Sequence, residues 1–236
     1  MNTFLLETII TFNLKRPFLS LGKQPFYLIQ ELLNKPEFEE KHFSVVMQSV
    51  EPFCVLQNTN GQGTITVGCS NNKIFIKLSY MDSPVMSLQF DNVLSYIDEL
   101  LKSLSNFLTL KWGIEGVSVF GNFMLLDSSK EIHPSQIIAD GVMKDEYLRN
   151  SRRLELRYDL QRKVENWDVE DFVRIFRAKF DGYVAGKMNP DNIGIQREIF
   201  LKVSPDQYNE SRLSEILEIV KPYFTETSIK GLVHVE

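Results

Sequence analysis

The sequence FNLKR at residues 12–16 returns as YDLQR at residues 158–162, an offset of 146 positions. In the same order, IFIKLS at residues 74–79 returns as IFLKVS at residues 199–204. Self-similarity that keeps its order along the chain is typical of repeated structural units. The sequence therefore predicts a duplicated fold, in which Phe12 is equivalent to Tyr158 and Phe75 is equivalent to Phe200.

Each half has the same predicted order of strand, helix, strands, helix and strand. A strand of alternating apolar residues ends at Leu14 in the first half and at Leu160 in the second. Helical spacing follows, after Pro25 in the first half and after Asp168, a good N-cap, in the second. Further helices are predicted at 91–108 and 210–224, and closing strands at 117–126 and 229–235. This order predicts an α+β protein of tandem ferredoxin-like (split β-α-β) repeats, with antiparallel sheets and helices on one face.

The predicted division of the chain is a first repeat at 1–126, a connector at 127–148 and a second, shorter repeat at 149–236. An extra β-hairpin is expected in the first repeat, where turns at 60–61 and 71–72 predict a meander. Hairpins centred on these turns set Leu56 against Ile65 and Val67 against Ile76, which makes one side of the meander apolar. On its other side, Phe75 is expected to lie across from a glycine at position 68.

Composition bounds the functional classes. The 236 residues are 43% hydrophobic and 24% charged, which is an ordinary balance for a globular protein. A net charge of −5 means that the chain as a whole does not attract phosphate backbones. No apolar run approaches membrane-spanning length and no signal-peptide pattern is present, so no membrane partner is expected. Cys54 and Cys69 form no disulfide framework, and the predicted location is the cytoplasm.

No catalytic residue, metal site or cofactor site is predicted. The three histidines, His42, His133 and His234, fall in separate predicted elements and show no ligand spacing. Neither cysteine has a predicted histidine or lysine neighbour that would activate it as a nucleophile. The protein is therefore expected to be non-enzymatic.

The basic segment at 149–163 is the first candidate for partner binding. It holds six basic residues against two acidic ones, and the candidate contacts are Arg149, Arg152, Arg153 and Arg157. Forked guanidinium groups on a strand face suit an anionic partner. The alternative is a charged outer face on which Arg and Glu pair across neighbouring strands.

A stacking platform for bases is the second candidate. Strand periodicity places Phe75, Lys77, Phe200 and Lys202 on the side of the sheets away from the helices. An aromatic ring beside a lysine in both halves is an arrangement that RNA-binding sheets use. The alternative is that this side is covered by the other repeat, which would bury both phenylalanines.

Tandem ferredoxin-like domains of this total length resemble the repeat-associated RNA-binding proteins of CRISPR systems. The resemblance covers the order of elements, and the glycine-rich loop typical of that family is missing because Gly231 stands alone. The sequence favours a non-enzymatic interaction protein with a protein partner, as a subunit of a bacterial or phage assembly. Two alternatives stay open: an RNA-binding or RNA-processing protein of that CRISPR-associated type, which the acidic net charge disfavours, and a small-molecule sensor binding between the repeats.

Overall fold

The computed structural model describes residues 2–15, 34, 44–47, 54–60, 63–70, 72–80, 85–86, 114–126, 134–143, 148, 154–179, 183–184, 187–188, 191–203 and 212–233. The strands in these residues are β1 (Asn2–Leu14), β2 (Ser44–Met47), β3 (Cys54–Asn60), β4 (Gly63–Ser70), β5 (Lys73–Ser79), β6 (Val85–Met86), β7 (Ile114–Leu126), β8 (Glu155–Val164), β9 (Trp167–Lys179), β10 (Tyr183–Val184), β11 (Lys187–Met188) and β12 (Asp191–Lys202). The helices are α1 (Pro134–Ile137), which continues as a π-helical turn to Met143, α2 (Arg212–Val220), which continues as a 3-10 turn to Phe224, and α3 (Glu226–Gly231).

One antiparallel sheet organises the described residues. Its strand order is β2-β3-β4-β5-β1-β7-β12-β9-β8, and β6 pairs with β1 beyond the end of β5. β1 and β7 form its centre, paired from Asn2↔Leu126 to Leu14↔Ile114. β7 also pairs with β12, so strands from both predicted halves belong to the same sheet. The short strands β10 and β11 form a separate ribbon.

The sheet has a covered face and an outer face. The covered face is built from alternate residues of each strand, because successive side chains of a strand point to opposite sides. Its fully buried members include Ile10, Phe12, Ile74, Ile76, Val119, Phe123, Ile195, Ile199 and Leu201. Buried side chains of α2, α3 and the residues that flank them belong to the same core: Ile216, Val220, Phe224, Ile229 and Val233. The hydrophobic core therefore lies between the covered face and the segment at 212–233.

Gly121 is a point of close contact between that segment and the sheet. A Cβ atom built on Gly121 would lie 2.5 Å from Cε2 of Phe123 and 2.8 Å from Cε1 of Phe224. The two rings lie with their centroids 6.1 Å apart, directly over the glycine. The missing side chain therefore makes the room into which Phe224 packs.

The expected tandem ferredoxin-like fold is wrong, because the described residues lie mostly in one antiparallel sheet and include few helices. Phe12 lies in the central strand β1, whereas Tyr158 lies in β8 at an edge of the sheet. The strand of Phe75 is a neighbour of β1, but β9 separates the strand of Phe200 from β8. The echoed segments are therefore not structurally equivalent, and they do not define repeats.

The helix predicted after Asp168 is instead strand β9. Apolar residues occur on both of its faces, with Val169 and Val173 buried on the covered face and Phe172 and Phe176 on the outer face. Apolar residues on both faces give this strand a false helical spacing. The two-residue turn between Val164 and Trp167 makes β8 and β9 a hairpin, which settles the pairing.

The closing strand predicted at 229–235 is also wrong, because Ile229 lies in α3. Thr225 is the N-cap of that helix, and its Oγ1 accepts a hydrogen bond from the amide of Ser228 at 3.2 Å. A threonine whose side chain accepts a hydrogen bond from the amide three residues later is the local signal for a helix start here.

Other parts of the expectation are confirmed. β1 and the strand at 117–126 are present, and the helix at 210–224 corresponds to α2 with its 3-10 turn. In the meander, Val67 pairs with Ile76 as expected. The preceding hairpin is shifted by two residues, since Leu56 pairs with Val67 and not with Ile65. The helices predicted after Pro25 and at 91–108 lie outside the described residues, and the domain boundaries stay a prediction.

Candidate binding surface

The outer face of the sheet is the candidate surface. Each row across this face takes one residue from each strand, and the row through its middle runs Asp159, Phe172, Glu198, Phe120, Ile9 and Lys77. At one end of the face, Leu6, Met124 and Leu126 are buried in a small apolar cluster with Phe4. Away from that cluster its aromatic side chains are half-buried or exposed, so the middle of the face is accessible.

Three aromatic rings on this face lie over glycines of a neighbouring strand. The expected pairing of Phe75 with Gly68 is confirmed, and the ring covers the glycine. Phe200 covers Gly116 in the same way, with Cζ 2.6 Å from where a Cβ would be. A third ring, on Phe176, covers a glycine at position 194. An aromatic neighbour shields the exposed backbone of a strand glycine and fixes the pairing register.

An ion-pair network links the strands near the β8 edge. Nε and Nη2 of Arg174 donate to the two carboxylate oxygens of Glu155 at 2.9 and 3.1 Å, and Nη1 donates to Gln196 at 3.2 Å. Arg157 also donates to Glu155. These hydrogen bonds, that from Arg174 first, hold the pKa of Glu155 below its ordinary value of 4.5. The guanidinium of Arg174 lies 4.6 Å from the ring centroid of Phe176, so the network also orders that ring.

Further polar contacts join the central strands. Ser118 Oγ donates to Glu198 Oε1 at 2.5 Å, between β7 and β12. Lys77 Nζ lies 2.5 Å from Glu7 Oε2, between β5 and β1. Cross-strand pairs of this kind are the alternative that the sequence left open for its charged strand positions, and each contributes a few tenths to about 1 kcal/mol.

The described part of the outer face carries equal numbers of acidic and basic side chains. The strand registers place six of each sign on it: Glu7, Glu155, Asp159, Asp168, Glu170 and Glu198 against Lys73, Lys77, Arg157, Lys163, Arg174 and Lys202. Charges of opposite sign are interspersed, and no single-sign stripe crosses the described strands. Such a face has no surplus charge with which to attract a polyanion.

Phe172 is the exposed aromatic residue of this face. It is 37% exposed, and its cross-strand neighbours are Asp159 on β8 and Glu198 on β12. This part of the face is therefore polar around an apolar ring. Exposed aromatic rings within a polar rim are typical of binding surfaces.

A buried polar cluster lies on the covered face. Arg197 and Asp171 form a two-pronged ion pair, with Nε to Oδ1 at 2.9 Å and Nη2 to Oδ2 at 2.7 Å. Nη1 of Arg197 also donates to the Tyr223 carbonyl at 2.7 Å and to Ser228 Oγ at 2.8 Å. Arg162 adds a third donor to Asp171 at 3.0 Å. The cluster therefore ties the 3-10 turn and α3 to the sheet.

Two tyrosines lie beside this cluster. The ring of Tyr223 lies between two guanidinium groups, 4.9 Å from that of Arg197 and 5.3 Å from that of Arg162. Burial raises the pKa of the Tyr158 phenol above its ordinary value of 10.0. Sequence reasoning missed Arg197 and Asp171; the available signal was a charged residue at an inward position of an otherwise apolar alternation.

The residues that the sequence predicted to bind a partner are only partly described by the structure. Arg149, Arg152 and Arg153 lie outside the described residues. Arg157 is described, projects from the outer face and is paired with Glu155.

Phe75, Lys77, Phe200 and Lys202 do share the outer face, as the strand periodicity indicated. Thr11 and Ser118 separate the two rings in their row, which puts them about 14 Å apart at roughly 4.8 Å per strand. The structure therefore does not bring them together as one stacking platform.

Comparison with protein-family models and with curated proteins found no match for this chain. Within the described residues, no group of three or more His, Cys, Asp or Glu side chains is placed to hold a metal ion. No helix in that part of the chain is long and apolar enough to cross a lipid bilayer.

Proposed function

We propose that the protein is a non-enzymatic binding protein whose outer face takes a protein partner. Phe172 carries the proposal, because it is an exposed ring at the middle of a face on which three other aromatic rings lie over glycines. Buried aromatic residues supply much of the binding energy of protein interfaces. The proposed location is the cytoplasm, and a subunit role in a larger assembly fits a protein that acts by binding.

The balance of charge supports a protein partner over RNA. Proteins that bind nucleic acids present a basic patch or stripe, which neutralises phosphates and makes binding salt-dependent. Among the described residues of the outer face the acidic side chains equal the basic ones in number, and Lys77 is already paired with Glu7. A partner that matches this face needs an apolar contact for Phe172 and interspersed charges of both signs.

The third function considered, a small-molecule sensor, is not supported by the arrangement of the described strands. It required a cleft between two ferredoxin-like repeats, and the described strands from both halves form one sheet instead.

Substitutions of Phe172 test the proposal. Phe172→Lys removes the ring and places a positive charge between Asp159 and Glu198, so the sheet is expected to stay folded. Phe172→Leu keeps an apolar side chain and is the matched control. Tagged wild type and both variants are used to capture partners under native conditions, with quantification by mass spectrometry and a thermal melt of each variant.

We expect the wild type and Phe172→Leu to recover the same protein, and Phe172→Lys to lose it at an unchanged melting temperature. Equal recovery of the same partner by the wild type and both variants would rule out the outer face as the binding surface. Retention of the wild type on immobilised RNA at physiological salt, lost on raising the salt, would replace a protein partner by RNA.

A further inference from the structure

Strand β8 is a regular edge strand of the sheet that the described residues form. It pairs with β9 over its whole length, from Glu155↔Phe176 to Val164↔Trp167, without a bulge. No described strand pairs with its other side. An edge strand of this kind presents a row of unpaired N–H and C=O groups, which are a template for another strand.

The hairpin geometry defines which residues of β8 present those groups. A two-residue hairpin closes on a hydrogen-bonded pair, here Val164 and Trp167, and such pairs recur at every second residue. The even-numbered residues of β8 therefore bond to β9. The odd-numbered ones direct their amides and carbonyls outward: Glu155, Arg157, Asp159, Gln161 and Lys163.

The side chains of β8 are also unusual for a free edge. Leu160 is 44% exposed, on the same face as the half-buried Leu156 and Tyr158. On the outer face, charges alternate in sign from Glu155 to Arg157 to Asp159. An exposed leucine on a long edge strand is a liability unless something covers it.

We propose that a second copy of this chain adds its β8 to this edge, antiparallel, with the two-fold axis at Tyr158. The two sheets then continue into each other across the axis. A two-fold interface is isologous, so one strand must complement itself. The charges and the exposed leucine of β8 together meet that requirement in one register.

Backbone pairing restricts the possible registers. Opposite residues of an antiparallel pair are both hydrogen-bonded or both not, so an odd-numbered residue of one copy must face an odd-numbered residue of the other. With β8 spanning Glu155–Val164, pairing at least seven residues per strand leaves the axis at position 158, 159, 160 or 161.

Charge excludes two of these four registers. An axis at 159 sets Asp159 against the partner's Asp159. An axis at 160 sets Arg157 against the partner's Lys163, twice. Like charges directly opposite each other destabilise a strand pair.

The exposed leucine decides between the remaining two. An axis at 161 sets Leu160 against the partner's Arg162. An axis at 158 sets Leu160 against the partner's Leu156 and Arg157 against the partner's Asp159, each twice by symmetry. This register alone covers the exposed apolar side chain and pairs the opposite charges.

A cysteine scan along the axis tests the register. In the Tyr158→Cys dimer the two introduced thiols face each other in a non-hydrogen-bonded pair, with Cα atoms about 4.5 Å apart, within reach of a disulfide. The variants Asp159→Cys, Leu160→Cys and Gln161→Cys place the thiol on the axis of the three other registers. Because Cys54 and Cys69 are present in every variant, linked peptides are identified by mass spectrometry after mild oxidation, with the wild type as control.

We expect Tyr158→Cys to form the intermolecular link about ten times faster than the other three variants. Faster linkage of another variant would overturn the register. Absence of any link among the four would overturn the dimer.

A charge swap tests the same contact without cysteines. In Arg157→Asp and in Asp159→Arg, the two ion pairs across the axis become two like-charge pairs. We expect each single variant to raise the dimer dissociation constant by roughly tenfold or more. The double variant Arg157→Asp with Asp159→Arg restores opposite charges and is expected to return to within about threefold of the wild type.

Sedimentation velocity over a range of protein concentrations measures these constants, and far-UV circular dichroism confirms that each variant is folded. A wild type that stays monomeric at about 100 µM would overturn the proposal, because its free energy of dimerisation would then be too weak for a specific interface. So would single and double variants with equal dissociation constants.

Discussion

Arg197→Met is the most informative single substitution on the covered face. The methionine keeps most of the volume of the arginine stem but removes four hydrogen bonds, two to Asp171 and one each to Tyr223 and Ser228. The side chains of Arg197 and Asp171 are only 6% and 1% exposed. Removal of one partner from a buried ion pair leaves an uncompensated buried charge and costs about 3–5 kcal/mol.

Arg162, the second arginine beside Asp171, determines where in the range of about 3–5 kcal/mol the loss of unfolding free energy falls. Arg162 still lies 3.0 Å from Asp171 in the variant, and its side chain is 42% exposed. This exposed arginine compensates part of the buried charge, so we expect a loss near the lower limit, about 3 kcal/mol of unfolding free energy. The double variant Arg197→Met with Asp171→Leu leaves no buried charge and is expected to regain about 2 kcal/mol of it.

Urea denaturation followed by far-UV circular dichroism measures these free energies. Arg174→Met is the matched control, because Arg174 donates three hydrogen bonds on the outer face with its side chain 31% exposed. Exposed ion pairs contribute little, so this control is expected to lose less than about 1 kcal/mol. Equal losses for Arg197→Met and Arg174→Met, within about 0.5 kcal/mol, would refute the argument from burial.

Two more substitutions, and a second measurement on Arg174→Met, test other contacts. Gly121→Ala is expected to cost about 1–3 kcal/mol of unfolding free energy, because the new methyl group overlaps the ring of Phe224; an unchanged urea midpoint would show that the ring moves away without loss. Glu165→Asn is expected to raise the unfolding free energy by about 0.5–1 kcal/mol, since Glu165 has a φ of 53° and asparagine tolerates that conformation better; destabilisation would contradict this reading of the turn. Arg174→Met is expected to raise the pKa of Glu155 towards 4.5, measured by NMR titration, because that pKa is lowered first by Arg174. The stability that comes from this lowered pKa is present above pH 4.5 and is lost as the pH falls through the pKa of Glu155 in the folded protein. If that pKa is the same in Arg174→Met as in the wild type, the ion pair between Arg174 and Glu155 does not persist in solution.

The strands of this sheet were predictable where one face is apolar and the other polar. β5 alternates strictly and β1 does so after the irregularity at Leu5–Glu7, and the residues expected to be buried in them, such as Phe12 and Ile76, are fully buried. β9 was not predictable by the same rule, because Val173 and Phe172 are adjacent apolar residues on opposite faces. The turn before it carries Glu165, which is an uncommon residue at positive φ, so no sequence signal marked the hairpin.

The candidate surface was predicted in part. Periodicity placed Phe75, Lys77, Phe200 and Lys202 on one face, but their spacing across that face depends on the strand order. The order places β1 and β7 between β5 and β12, and β1 pairs with β7 through residues that are 100 or more positions apart in the chain. Long-range pairing of this kind leaves no local trace in a single sequence. For the same reason the partnership of Asp171 with Arg197, which needs both the hairpin β8–β9 and the pairing of β9 with β12, was not visible.

The central position of β1 has a consequence for how the chain folds as it is made. β1 emerges from the ribosome together with β5 well before β7, whose residues pair with it from Asn2↔Leu126 onwards. Until β7 arrives, one side of β1 has no partner, and the nascent chain holds an exposed strand edge that is prone to misassociate. Contacts so distant in sequence also predict slow folding. Yield in cells is therefore expected to depend on the rate of translation between β5 and β7 and on chaperones that hold an unpaired strand.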